Sequence, residues 1–177
     1  MTRALGLLSA GLLAVATACG GDIHDTHDTG DASQVVVDAT GACNTLANSA
    51  ETLSLPLVGQ APPAAQGGTI ADGTYVMQSA AVYTGSGGAS GATSTTTQVT
   101  IEVHAGTVQV VSTSGGTTTH LTVTIATSGT ALTYTDTCPV SATLQGHYTA
   151  SANALTVMLP SPSDAGAATL VEDFVRQ

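Results

Sequence analysis

Gln98-Val99-Thr100-Ile101-Glu102-Val103-His104 places its apolar residues at every second position and its polar ones between them. Successive side chains of a β-strand point to opposite faces, so this pattern describes a strand buried on one side only. His120-Leu121-Thr122-Val123-Thr124-Ile125 repeats it, and so does Leu155-Thr156-Val157-Met158-Leu159. Working outward from these runs, turn signals fall near Gly85 to Gly91, Gly106, Gly115-Gly116, Ser128-Gly129, Pro139, Asn153 and Pro162 to Gly166. They divide the chain into eight strands: 74–83, 96–104, 107–113, 118–126, 131–138, 144–151, 154–159 and 168–176. Short connections join sequence neighbours antiparallel. The expected fold is therefore all-β, an eight-stranded antiparallel up-and-down barrel, whose closure removes both sheet edges. A two-sheet sandwich is the alternative, and it calls for longer crossing connections.

Composition agrees with a sheet and narrows function. Of 177 residues, 42% are apolar and 8% charged, with 20 Gly, one Phe and no Trp. That is too apolar for a disordered chain. Lys is absent and the two Arg are Arg3 and Arg176, for a net charge of −10. A nucleic-acid partner needs clustered cations, so none is expected. Electrostatic docking on anionic lipid is disfavoured for the same reason.

Residues 1–18 read as a targeting segment, with Arg3 as the positive region and an apolar run from Ala4 to Ala18. The run is short for a membrane span. It ends in Ala16-Thr17-Ala18-Cys19-Gly20, which resembles the lipobox of bacterial lipoproteins, although Ala16 stands where Leu is more frequent. The resemblance implies lipidation of Cys19, cleavage before it, and membrane attachment through the N-terminal lipid in a bacterial cell envelope. More than one acyl chain makes such an anchor stable. A secretory signal cleaved after Ala18 without lipidation is the plainer reading.

Residues 19–34 form an acidic tether in which Asp22, Asp25, Asp28 and Asp31 surround His24 and His27. These are metal-ligating types without preorganised geometry, so no metal site is assigned. Residues 35–72 make an N-terminal arm holding a short helix or turn over 42–47 and an edge strand over 52–58. Residues 73–177 are the barrel domain. With Cys19 lipidated, Cys43 and Cys138 remain, and two thiols in an exported chain point to one disulfide pinning the arm to the sheet. Two unpaired buried thiols are the alternative.

The opening Asp72-Gly73-Thr74-Tyr75 resembles the entry of lipocalin-like (calycin) barrels, with Tyr75 where the family signature has Trp. Thr137-Cys138-Pro139 is similar to a turn of small bacterial envelope lipoproteins. The resemblance covers roughly residues 70–177. It implies an eight-stranded barrel; ligand binding does not carry over with the signature incomplete.

Chemistry-bearing patterns are sparse. The glycine-rich run Gly85 to Gly91 lacks the Lys of a phosphate-binding loop and the spacing of a nucleophile elbow. His104, His120 and His147 fall on the polar faces of non-adjacent strands. No catalytic residue and no cofactor is assigned. Asp136 shares alternate positions with Leu132, Tyr134 and Cys138, and an inward carboxylate needs a donor or loses its charge. Arg176 is the cation available to it, with Glu172 as the other partner open to Arg176; the alternative places both at a solvated rim. Eight strands enclose room for side chains or for one small ligand. A pocket formed by Tyr75, Tyr83, Val123, Tyr134 and Tyr148 is expected. The expected function is a non-catalytic module binding a small apolar or amphiphilic molecule. A structural or interaction module with a filled barrel, such as an envelope scaffold or protease inhibitor, is the alternative.

Overall fold

A computed structural model of the chain describes residues 43–163 and 166–177. The readings on Cys19 and on the tether lie outside these residues. Two short strands, β1 (Leu53–Ser54) and β2 (Leu57–Val58), precede eight long ones. These are β3 (Gly73–Tyr83), β4 (Thr96–His104), β5 (Thr107–Ser114), β6 (Thr117–Ser128), β7 (Ala131–Cys138), β8 (Ala142–Ala150), β9 (Ala154–Ser163) and β10 (Gly166–Arg176). Each pairs antiparallel with the next, and β3 pairs with both β10 and β4, so the meander closes into an eight-stranded barrel.

Val99, Ile101 and Val103 of β4 face inward with Val108 and Val110 of β5 and Leu121 and Val123 of β6, all buried. The outer face carries Thr pairs, with Thr113 and Thr118 at 2.9 Å and Thr135 and Thr143 at 3.3 Å. Asp173 accepts from Ser79 and Thr156, both at 2.7 Å. Cross-strand polar pairs of this kind stabilise a sheet by a few tenths of a kcal/mol each. Apolar inside and polar outside is the inverse of a barrel that spans a membrane.

Two bulges interrupt the alternation. Phe174 pairs with Met77 and Asp173 with Ser79, leaving Gln78 without a partner. Val123 pairs with Asp136 and Thr122 with Cys138, leaving Thr137 without one. An extra residue flips the face of everything beyond it. Val82 therefore turns into the core and Tyr83 turns out. Likewise Asp136 faces the interior while Cys138 faces outward, so the two do not share a face as strict alternation predicts.

Outside the wall, Cys138 meets the arm and forms its disulfide with Cys43, across a Cα–Cα distance of 5.5 Å. Of the short helix or turn expected over 42–47, no helix forms over the described 43–47, and the segment runs extended across three strands. Asn44 and Asn48 explain this. Each accepts from the backbone N–H two residues on, a local bond that competes with a helix. Each also donates to the barrel: Asn44 to the carbonyls of Val110 and Leu121, Asn48 to that of Gln98. Under this belt the outward Thr100 is only 1% exposed, its hydroxyl accepting from Ser49 N–H and donating to Asn48 Oδ1.

The expected edge strand over 52–58 is split at Pro56, which cannot donate to a ladder. Its halves bond opposite sides of one seam, β1 to β4 antiparallel and β2 to β3 parallel. β3 and β4 pair directly only over Gly73–Val76 and Thr100–Val103, so this insertion, with Leu55 in the core, seals the remainder.

Replacing both Cys43 and Cys138 by Ala should lower stability by at most ~4 kcal/mol, the loop entropy of a bridge spanning 95 residues. It should also speed amide exchange in residues 44–50. Chemical denaturation and hydrogen exchange check both effects; an unchanged midpoint would show that the asparagine belt holds alone.

Candidate functional site

The barrel encloses a cavity of about 250 Å³. Its walls are Val, Ile and Leu from β4 to β7, β9 and β10, together with Phe174. Toward the end where β5 finishes and β6 begins, the lining becomes hydroxyl-rich: Thr97, Ser112, Ser114, Thr117 and Thr119. β8 is bonded to β9 only from His147 to Ala150, although β9 continues to Ser163, so the wall also loosens toward this end. This is the mouth.

The opposite end is floored by residues 67–72, which place Ile70 in the lining. Gly67 exchanges backbone hydrogen bonds with β8, accepting from Ala150 N–H and donating to Tyr148 O. Its φ of 69° and its contact with the Gly129 carbonyl leave no place for a Cβ. Tyr148 and Tyr75 hold the floor from within, their hydroxyls donating to the carbonyls of Gly68 and Ala71, both at 2.7 Å.

These placements redraw the expected tyrosine pocket. Tyr134 lines the cavity. Tyr75 and Tyr148 point inward but are fully packed, and they act as posts under the floor. Val123 is 0% exposed, with Asp136 opposite it in the ladder, and does not reach the cavity. Tyr83 is outside the lining because the bulge at Gln78 turns it outward.

The Asp136–Arg176 pair does not form. β7 and β10 run in opposite senses, so Asp136 lies toward the mouth and Arg176 at the floor end. There Arg176 is exposed, with its guanidinium against Gly73. Among the described residues the only ion pair is His104 with Asp72, at 3.5 Å and well exposed. His120 instead contacts Asn44 Oδ1 at 3.1 Å, and His147 lies exposed on the outer wall. The three histidines are therefore not brought together.

Glu172, the other partner considered for Arg176, does not pair with it either. It sits mid-strand on β10, with Val157 and Ala80 opposite it in the two ladders. Its side chain lines the cavity and has no hydrogen-bond or ion-pair partner among the described residues. It is half-buried at the cavity wall, and desolvation by the surrounding protein pushes its carboxyl up to about 7. Asp136, 5% exposed and with Oδ1 lacking a partner, is also raised by burial. Burial raises the Tyr134 hydroxyl too, assisted by the negative potentials of Asp136 and Glu172. The alternation Leu170, Glu172, Phe174 carries a signal for the inward carboxylate, but not for its isolation.

The chain matches no protein-family model, no curated protein and no solved structure.

A carboxyl raised on folding holds its proton more tightly in the folded state. The stability Glu172 contributes is thus fully present below its ordinary 4.5 and is lost as pH rises through about 7. The full effect is ~3 kcal/mol, less where water enters the cavity. Asp136 acts in the same direction. Thermal unfolding should show a higher midpoint at pH 5 than at pH 8, and Glu172→Gln should narrow that difference by raising the pH 8 value. An unchanged profile in the variant would place the sensitivity elsewhere.

Proposed function

We propose that this protein is a lipid-anchored envelope protein whose barrel is a non-catalytic binding module for a small apolar or amphiphilic molecule. The observation that carries the reading is the cavity, about 250 Å³ with an apolar body and a hydroxyl-lined mouth. Binding sites for small molecules combine largely apolar walls with a few placed polar groups, and this interior has that composition. Strand count and meander order support the likeness to lipocalin-like barrels that Asp72-Gly73-Thr74-Tyr75 suggests. The alternative, an interaction module, draws on a filled barrel, which such a cavity disfavours.

The cavity reading separates two substitutions. Val157→Phe adds volume to the cavity wall; it should abolish binding of 1-octanol at little cost in stability. Val123→Trp adds volume where none is free, and should cost about 1–3 kcal/mol or more. In the parent, octanol at a hundredfold excess over its dissociation constant should stabilise by ~2.7 kcal/mol. Calorimetry and thermal unfolding measure both. No octanol binding by the parent, with Val157→Phe as damaging as Val123→Trp, would replace the binding module by the filled one.

The anchor rests on Ala16-Thr17-Ala18-Cys19 and on a barrel whose outer face is polar. Cys19→Ser should move the protein from the detergent phase to the aqueous phase, or leave its precursor unprocessed. Equal partitioning of parent and processed variant would argue for secretion without lipid.

A further inference from the structure

We infer that the ligand of the cavity is a small hydrophobic amine, its apolar body held by the Val, Ile and Leu walls and its ammonium paired with the Glu172 carboxylate beside Tyr134. The inference rests on the binding reading above and names its ligand class.

The first argument is the placement of the carboxylate. Only 8% of the chain is charged, yet two carboxylates face the interior, and one of them, Glu172, lines the cavity at mid-height. An apolar residue there would pack against its neighbours without penalty, whereas an unpaired buried carboxylate is costly. None of the described side chains neutralises it. A ligand that supplies the missing cation offsets this cost on binding, as no uncharged ligand can.

The second argument is what the site lacks. Among the described residues the lining contains no Arg or His, the chain has no Lys, and Arg176 is exposed beside Gly73 at the floor end. A fatty-acid carboxylate would find hydroxyls at the mouth and repulsion deeper in. An alcohol can donate one hydrogen bond to Glu172 but leaves its charge uncompensated. An ammonium brings three donors and the compensating charge.

Size sets the third limit. An apolar cavity of roughly 150 Å³ accommodates benzene. At about 250 Å³, this one suits an aromatic ring with a short chain, or an alkyl chain of similar bulk.

The ionisable group toward Glu172 is Tyr134 on β7, which also feels Asp136, and neither offers a positive charge; β9 and β3 present Val157 and Ala80 beside it. Amine affinity should therefore rise with pH while Glu172 loses its proton, in the range where the amine remains protonated. Titration calorimetry of the purified full chain with octylamine, 1-octanol and octanoate, at pH 5.5 and pH 8, tests this. At pH 8 octylamine should bind at least about tenfold more tightly than octanol, and octanoate should not bind. The advantage should shrink at pH 5.5. In Glu172→Gln it should vanish, while circular dichroism and a cooperative thermal transition show that the variant is folded. Equal affinities of octylamine and octanol for the parent overturn the amine assignment and leave the cavity reading standing, with or without the variant. An amine preference that survives in a folded Glu172→Gln also overturns it. Binding of none of the three overturns both.

Discussion

A barrel of eight strands has one inside, and closing it forces every strand to commit one face to that inside. Parity along each strand is therefore the constraint from which the rest follows. Two residues reset it: Gln78 in β3 and Thr137 in β7, each unpaired in its ladder. The first brings Val82 in and sends Tyr83 out. The second keeps Asp136 in and turns Cys138 out to the arm. Without the second bulge the cysteine would lie in the core, out of reach of Cys43.

Once Cys138 faces outward, the arm becomes the second skin of the barrel. Asn44 and Asn48 donate to strand carbonyls, and each accepts from the backbone N–H two residues on, which gives an extended belt in place of a helix. The same segment then fills the seam that β3 and β4 leave open and crosses beneath the barrel, where Tyr75 and Tyr148 hold it. The belt, the seal and the floor are consecutive parts of residues 43–72. Two of the chain's four tyrosines are spent on the floor, and that leaves Tyr134 and Phe174 as the aromatic side chains of the described lining above it.

That economy of bulk explains the cavity. With one Phe and no Trp, the inward positions are mostly Val, Ile and Leu, which line the wall without meeting at the axis. Glu172 stands among them as the carboxylate of the described lining, and desolvation raises its carboxyl. Among the described residues this interior holds carboxylates and no cation, so its potential is negative, and the mouth hydroxyls add hydrogen-bonding capacity without altering its sign.

Strand existence and order were legible in the sequence because they depend on local alternation and turn residues. The runs around Val99, Leu121 and Leu155 name their own faces, and the turns at Gly106, Gly115-Gly116 and Gly129 mark the hairpins. Antiparallel closure followed from short connections, and the Cys43–Cys138 bridge from the count of thiols. The same local signals could not place Tyr83, Cys138 or the arm. A bulge is invisible in a period-two pattern until the opposing strand shows which residue lacks a partner. Asn44 reads as a turn or helix residue until Val110 and Leu121 supply acceptors from far along the chain, and Asn48 just beyond it finds its acceptor in Gln98. Asp136 and Arg176 looked like partners by elimination; the opposite directions of β7 and β10 put them at opposite ends. Alternation along one strand determined the wall of this protein, and pairing between distant strands decided what faces the space inside it.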